Sequence, residues 1–515
     1  MPGVWHAVRD DSDAVPGLRP ELRLTPVASR TGARDTVRAM EASRTRSLRR
    51  PERHITAATA ALLTMSCAGI QAQQTDTPSP PNIVVILADD LGYADLGCYA
   101  DPKVPTPRLD RLAAEGMRFT QFYAGSTVCA PSRCVLMTGR HTGRARVRGN
   151  LRIPLEPEDV TVAEVLHDAG YATALVGKWG LGNEGTTGIP NRQGFDEFFG
   201  YLDQAHAHND FPTFLIRQEE RVALPNVVPN EGKFGTGLAS KQEVWCEDLF
   251  IDEALDFVER QRDRPFFLYF APTIPHANNE AGPRGMDLPD AGAFEDREDW
   301  PPAERGFAAR IQRLDADVGR LVDRIDALGL GERTLILFTS DNGPHREGGH
   351  DPDFQDSNGP LRGIKRSLHD GGIRVPTIAR WTKHVEAGSV SDHVAGFQDL
   401  LATCQELARA DAELDHDGLS FAPTLRGAPA DQRAHDWLYW EFYEGQSAQA
   451  LRIGTFKVIR APMFDGPIQV FDLATDLGEE TDIADEHPDL VADAERIFAS
   501  AHRPDAIWKV RRRNR

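Results

Sequence analysis

The chain of 515 residues carries a formal net charge of −20 at pH 7, and its length allows one large core with a smaller companion rather than a string of modules. So acidic a surface repels phosphodiester backbones and anionic lipid headgroups, which excludes nucleic acid and a membrane face as main partners. An anionic substrate can be held only where local cations overrule that field. Residues 1–80 do not read as part of a fold. From Met40 the text runs MEASRTRSLRRPERHITAATAALLTMSCAGIQAQQ, an arginine-rich start, an apolar stretch over 55–65 and then small residues. This is the pattern of a secretory signal, with an apolar run too short for a transmembrane span. We expect an exported protein, periplasmic or extracellular. Two finer readings are weaker: lipid attachment at Cys67 is opposed by Thr64, where such signals prefer leucine, and twin-arginine export at Arg49-Arg50 by the following Pro51-Glu52. QQTDTPSPP then reads as a polar linker, and the terminal WKVRRRNR as a solvated end.

Four short apolar runs, over 83–88, 173–176, 266–270 and 334–339, read as strands buried on both faces of a parallel sheet. Helical patterns separate them. The clearest places Phe307, Ile311, Leu314, Val318, Leu321, Ile325 and Leu328 at three- and four-residue steps until Gly329 stops the helix. This alternation predicts an α/β sandwich, with a large central, mostly parallel sheet flanked by helices. Five cysteines follow the linker (Cys98, Cys129, Cys134, Cys246 and Cys404), too sparse for a disulfide framework and without a CxxC pair for zinc. Ligands of such sheets bind beyond the carboxyl ends of strands, and those ends carry Asp89-Asp90, Lys178, His276 and Asp341-Asn342. One Asp pair after a strand is ordinarily a turn or a helix cap. Two carboxylate-rich ends in one sheet repel each other unless a cation lies between them, and a hard divalent ion with oxygen ligands fits, Ca²⁺ ahead of Mg²⁺.

The stretch STVCAPSRCVLMTGRHTG poses the sharper question. Pro131 suits the first turn of a helix running to Gly139, which puts Cys129 at a helix N-terminus that favours negative charge. Cys129 has three readings: a buried core thiol, a thiolate phosphatase nucleophile, or a cysteine oxidised to an aldehyde. The gap from Cys129 to Arg133 is too short for the phosphate-cradling loop of the second.

CAPSRCVLMTGR, with PNIVVILADDLGYADLGCYADPKVPTPRLDRLAAEGMRFTQFYA, GKWGLG, APTIPHAN, SDNGPHREGG and SNGPLRGIKRSLHDGGIRVP in that order, resembles the type I sulfatases over most of 81–427. The resemblance implies an alkaline-phosphatase-like catalytic domain over 81–429 and a C-terminal subdomain over 430–515. In the latter DWLYWEFY, QALRIGTFKVIR and IQVFDLATD form an antiparallel sheet, with a helix near 490–501. It implies that a maturation enzyme converts Cys129 to Cα-formylglycine. One hydroxyl of the hydrated aldehyde attacks sulfur, and the second expels sulfate and restores the aldehyde, where serine would be left as a stable ester. Asp89, Asp90, Asp341 and Asn342 match the family's metal ligands, with the modified Cys129 facing the ion. Arg133 matches the arginine that steadies the hydrate, Lys178 and Lys365 the sulfate-binding lysines, and His276 the histidine near the leaving oxygen, taken here as general acid.

One departure stands out. Many relatives read GKWHLG, with a histidine that contacts the formylglycine hydroxyl; here Gly180 offers no side chain. Either a ligand carboxylate such as Asp341 takes over, or another histidine reaches in; His141, His345 and His350 read instead as loop or supporting residues. The glycine-rich 343–376, with 201–214 and 143–150, is expected to form the pocket rim, where Asn150, Arg152 and His208 are candidates to touch a sugar. The expected activity is hydrolysis of a sulfate monoester, on a sulfated carbohydrate ahead of an aryl sulfate. The alternatives are a phosphomonoester or phosphonate monoester hydrolase on the same scaffold, and an inactive sulfated-glycan-binding protein.

Overall fold

The computed structural model describes residues 80–509; the signal-like segment, the linker and the last basic residues lie outside the described residues. Ten strands form one sheet: β1 (Asn82–Ala88), β2 (Met117–Phe119), β3 (Ala172–Lys178), β4 (Glu197–Tyr201), β5 (Phe214–Arg217), β6 (Glu220–Ala223), β7 (Phe266–Ala271), β8 (Thr334–Ser340), β9 (Thr377–Arg380) and β10 (Ser389–Ser391). Their spatial order is β10-β2-β9-β8-β1-β7-β3-β4-β5-β6. The five central strands, from β8 to β4, run parallel. Antiparallel strands extend the sheet on both sides. The four runs read from the sequence are β1, β3, β7 and β8, every residue of which is buried.

Alternate residues of a strand face opposite sides, and β1 shows it. Ile83, Val85 and Leu87 pack with α2 (Cys129–Thr138), α3 (Val162–Asp168) and α6 (Asp399–Ala408). Val84, Ile86 and Ala88 pack with α1 (Pro107–Ala114), α4 (Cys246–Arg260) and α5 (Pro302–Ala327). This is the α/β sandwich the alternation predicts. The helix α5 ends as expected, with Leu328 at its C-cap and Gly329 at φ +69°. No helix among the described residues is long and apolar enough to cross a membrane.

A separate four-stranded antiparallel sheet follows, β11 (Leu438–Phe442), β12 (Ala448–Ile453), β13 (Phe456–Arg460) and β14 (Ile468–Asp472). Its outer face is covered by α7 (Pro488–Ala501). Its inner face shares a core with Tyr123, Val128 and Ile373, and Trp440 Nε1 donates to the Ala124 carbonyl at 2.8 Å. The small sheet thereby braces the segment that leads into Cys129. Behind this brace, Asp370 is buried against Lys457 Nζ at 2.9 Å and accepts from the Tyr123 hydroxyl at 3.0 Å.

The turn that carries His276 away from β7 is pinned by Glu247 on α4, whose Oε1 accepts from Thr273 N at 2.9 Å and Thr273 Oγ1 at 2.6 Å. The second oxygen, Oε2, is buried without a partner, and burial pushes the carboxyl up from 4.5 to about 7. An acid raised on folding costs nothing below its unfolded pKa; the cost grows as pH rises and is complete above the folded pKa. Relative to the parent, Glu247→Gln should therefore gain roughly 1–3 kcal/mol of stability between pH 5 and pH 8. Urea denaturation at both pH values reads this, and a difference independent of pH would show that the acid is ionised throughout.

Candidate active site

The order β8-β1-β7-β3 makes neighbours of strands far apart in sequence. Their carboxyl ends deliver Asp341, Asp89, His276 and Lys178 to one edge, as a parallel sheet must. Asp89 N donates to Ile274 O at 3.2 Å and Asp341 N to Ala88 O at 3.0 Å, so the ladder extends into the site itself. Asp90 takes the left-handed conformation, φ +69°, and its N–H donates to Asp341 Oδ1 at 3.1 Å. Asn342 Nδ2 donates to Asp90 Oδ1 at 2.6 Å, while Asn342 Oδ1 is buried with no partner.

Cys129 is the first residue of α2, with Val128 as its N-cap. The expected helix N-terminus is there, and it points at the carboxylates: Cys129 Sγ lies 3.3 Å from Asp89 Oδ1 and 3.9 Å from Asp90 Oδ1. One turn along, the fully buried Arg133 reaches back into the cluster. It donates through Nε and Nη2 to Asp341 Oδ2 (3.1 and 2.8 Å) and through Nη1 to Lys178 O at 2.7 Å. Lys178 Nζ meets Asp89 Oδ2 at 2.6 Å, and Lys365 Nζ meets Asp90 Oδ2 at 2.7 Å. Lys365 arrives on the glycine-rich loop, which is laced to the site by Lys365 N to Pro344 O and Arg366 N to Thr127 O (2.9 and 3.0 Å). All nine residues proposed from the motifs thus converge, buried, on one point.

These charges set one another. Burial raises the Asp89 carboxyl, and the charges of Lys178 and Arg133 more than reverse it, holding it well below the usual range. Asp341 moves the other way, raised by burial and by the charge of Asp89. Burial and the carboxylates of Asp341 and Asp89 push the Cys129 thiol well up, so a bare thiolate is disfavoured. His276 Nδ1 donates to Ala277 O at 2.7 Å, which leaves Nε2 as acceptor for Lys365 Nζ at 3.1 Å. Burial and Lys365 hold this imidazole well below its ordinary pKa, so the neutral ring accepts a hydrogen bond from the Lys365 ammonium at Nε2. The ring lies between His208 and His345, centroids 4.9 and 5.8 Å away.

The donor set suits a hard cation. Asp89, Asp90, Cys129 and His276 offer ligand atoms within 4.8 Å of one another, as do Asp90, His345 and Glu347. The orphaned Asn342 Oδ1 is a neutral oxygen beside Asp90 that lacks a donor. Carboxylate and amide oxygens are the ligands such ions take.

A cavity of about 210 Å³ opens over the cluster, with Cys129, Lys178, Lys365 and His276 at its floor and Asn150, Arg152 and His208 on its walls. Asn150 Oδ1 accepts from Ala130 N at 3.0 Å, tying the wall to the first turn of α2. Arg152 is fixed by Asp203 (Nε to Oδ2, 2.6 Å) and stacks on Phe234 at 3.8 Å. Of the other histidines, His141 packs edge-on against Tyr439, and His350 stacks on Phe307 while bonded to Glu304. Neither lines the cavity, and neither does His345, whose Nε2 faces Pro275 O at 3.4 Å. Two participants escape the motif reading. Glu347 clamps Lys365 and Arg366 (2.9 and 2.6 Å), and Gln204 lies against Gly180 in the cavity wall. Their only trace in the sequence is their place in the segments expected to form the rim, Glu347 in 343–376 and Gln204 in 201–214.

Comparison with known proteins agrees with this geometry. Residues 81–410 match the family model described as Sulfatase. Arylsulfatase A of Homo sapiens is 36% identical over 407 residues, 73% of this chain and 74% of the relative. N-acetylgalactosamine-6-sulfatase of Sus scrofa is 33% identical, over 77% of this chain and 74% of the relative. The crystal structure of Ps i-CgsB in complex with k-i-k-neocarrahexaose superposes with a TM-score of 0.70 at 26% identity, covering 84% of this chain and 95% of that one. A match that runs from β1 through α6, on an alkaline-phosphatase-like fold whose strand ends gather acids around a cysteine, establishes that the chain belongs to the sulfatase family and is a sulfuric ester hydrolase of the arylsulfatase type.

Proposed function

We propose that this sulfatase cleaves sulfate monoesters on a carbohydrate, that Cys129 is oxidised to Cα-formylglycine before turnover, and that Asp89, Asp90, Asp341 and Asn342 hold a divalent cation, Ca²⁺ in preference to Mg²⁺. One observation carries the reading: Cys129 Sγ stands 3.3 Å from a buried carboxylate at the floor of a cavity that also holds two lysine ammoniums. The bound cation would add positive charge where the ester oxygens and the hydroxyl of residue 129 need it. The aldehyde hydrate would supply what a thiol or a serine lacks, a second oxygen on the carbon that carries the sulfuryl group.

The remaining work falls to the chain's own groups. Lys178 and Lys365 pair with Asp89 and Asp90 across the cavity floor and would share their N–H donors with the sulfate oxygens. That local charge is how a chain of net −20 retains an anion. Arg133, spent on Asp341 and the Lys178 carbonyl, keeps the carboxylates in place. His276 and Lys365, 3.1 Å apart, form the pair that delivers a proton to the leaving oxygen. A carbohydrate is favoured by the polar wall of Asn150, Arg152, Asp203 and His208, and by relatives whose names specify a sulfated amino sugar and a bound neocarrahexaose. We further propose a catalytic domain over 81–429, a C-terminal subdomain over 430–515, and export directed by the signal-like segment before residue 80.

Two measurements test this. The Cys129 peptide from the native host should have the mass of formylglycine, and Cys129→Ala should lose turnover of 4-nitrophenyl sulfate by at least roughly 10³-fold. A thiol mass with full activity would sink the aldehyde. Greater efficiency on the matched phosphate or phosphonate ester would favour that activity instead, and retained glycan binding with no turnover in the parent would favour a binding protein. Separately, removal of divalent ions should lower the melting temperature, and Ca²⁺ at 100 times its Kd should restore about 2.7 kcal/mol of stability. Asp90→Asn should abolish that shift; a melting temperature indifferent to chelator and Ca²⁺ would sink the metal assignment.

A further inference from the structure

Gly180 has φ +84°, and a Cβ built on it would fall 1.9 Å from Gln204 Nε2. The two segments lie side by side because Trp179 N and Gly180 N donate to the carbonyls of Tyr201 and Leu202, at 2.9 and 3.0 Å. These bonds prolong the β3–β4 ladder past its last pair, Lys178 with Tyr201. The chain then turns sharply. Asp203 Oδ1 accepts from the amides of Ala205 and His206 at 2.9 and 3.2 Å, and Oδ2 anchors Arg152 at 2.6 Å. That turn lays the Gln204 carboxamide across the bare backbone of Gly180. A side chain at 180 is opposed twice, because Gln204 would have to move aside and because the backbone conformation is one that residues with a Cβ adopt only under strain.

Gln204 Nε2 is buried and has no acceptor among the described residues. The side chain lines the same cavity as Cys129, Lys178 and Lys365. Buried donors are left unpaired at a cost, and such a group at a cavity wall calls for a partner that arrives with the ligand. An amide nitrogen only donates, so its partner is an acceptor, and the two ammoniums on the cavity floor mark where an anion sits. We propose that Gln204 Nε2 donates a hydrogen bond to an oxygen of the bound sulfate ester, as a neutral substrate-binding group in the space over Gly180. The carboxamide takes up no proton at working pH, so it binds and orients the ester and serves as neither base nor acid. This inference rests on the sulfate ester occupying that cavity, as proposed above.

The test is steady-state turnover of 4-nitrophenyl sulfate, and inhibition by inorganic sulfate, in the parent, Gln204→Met and Gln204→Glu, with melting temperatures alongside. Methionine keeps the bulk without the donor, and glutamate keeps the shape while facing the anion with a carboxylate. Met should weaken sulfate inhibition and lower kcat/KM by roughly 10- to 100-fold, and Glu should cost more than Met. Retention of both constants within about threefold by a folded Gln204→Met, or a Glu variant no worse than Met, would reduce residue 204 to a space filler and overturn the proposal. Should Gln204→Met fail to fold, near-parental sulfate inhibition in the near-isosteric Glu variant would overturn it alone. A parent that neither cleaves the ester nor responds to sulfate would instead overturn the functional reading; an active parent with indifferent variants overturns only this one.

Discussion

Three buried carboxylates at one sheet edge are the constraint on which the site depends. Asp89, Asp90 and Asp341 are wholly shielded from solvent, and like charges so placed are untenable without compensation. The chain supplies it from three directions: Arg133 from the helix after Cys129, Lys178 from the end of β3, and Lys365 from the loop beyond β8. Each cation comes from a different part of the sequence, so the cluster closes only when the whole sheet has formed. The carboxylates respond unequally: Asp89 is held ionised by its cations, while Asp341 is pushed up by burial and by its neighbour. Beside these paired charges the Asn342 amide oxygen remains buried without a donor.

Support for this cluster extends well beyond its ligands. Glu247 pins the turn before His276, and the C-terminal sheet grips the segment entering Cys129 through Trp440. The Asp370–Lys457 pair joins the same sheet to the glycine-rich loop that carries Lys365. Catalytic groups set on strand ends and a helix terminus need such bracing, because misplacement of about 1 Å can cost on the order of 10²-fold in rate. The small sheet is therefore more than an appendage to the large one. Just beyond β11, Glu444 accepts from Asn150 N at 3.0 Å and faces Arg366 Nε at 4.0 Å, and both of those residues line the cavity.

Gly180 stands where the resemblance led us to expect a histidine, and Gln204 lies over it. A histidine there would meet Gln204 at 1.9 Å from its Cβ, so the two positions have to be read together. Neither His141 nor His350 fills the gap, being held by Tyr439 and Glu304 respectively. The ring nearest the reacting groups remains His276, stacked between His208 and His345 and tied to Lys365.

By itself the sequence determined the parts governed by local physics. Continuous apolar runs marked four of the five central strands, a 3.6-residue period marked α5 to within a residue of its end, and Pro131 with Gly139 bracketed the helix that starts at Cys129. The other six strands of the large sheet were not legible: most are short, partly exposed or at the sheet's edges, and the buried β4 opens on Glu197 and is interrupted by Gly200, which breaks its apolar run. The motifs named Asp89, Asp90, Cys129, Arg133, Lys178, His276, Asp341, Asn342 and Lys365 through the resemblance to the type I sulfatases; most stand at strand ends or in the first turns of a helix, whereas Lys365 lies in a loop. What the tertiary structure decided was everything that depends on closure between distant segments. Residues 180 and 204 meet only because a strand pairing runs past its end, and Glu347 reaches Lys365 only because an irregular loop folds back on itself. No period or propensity records such contacts, since they are set by how the sheet brings its edges together.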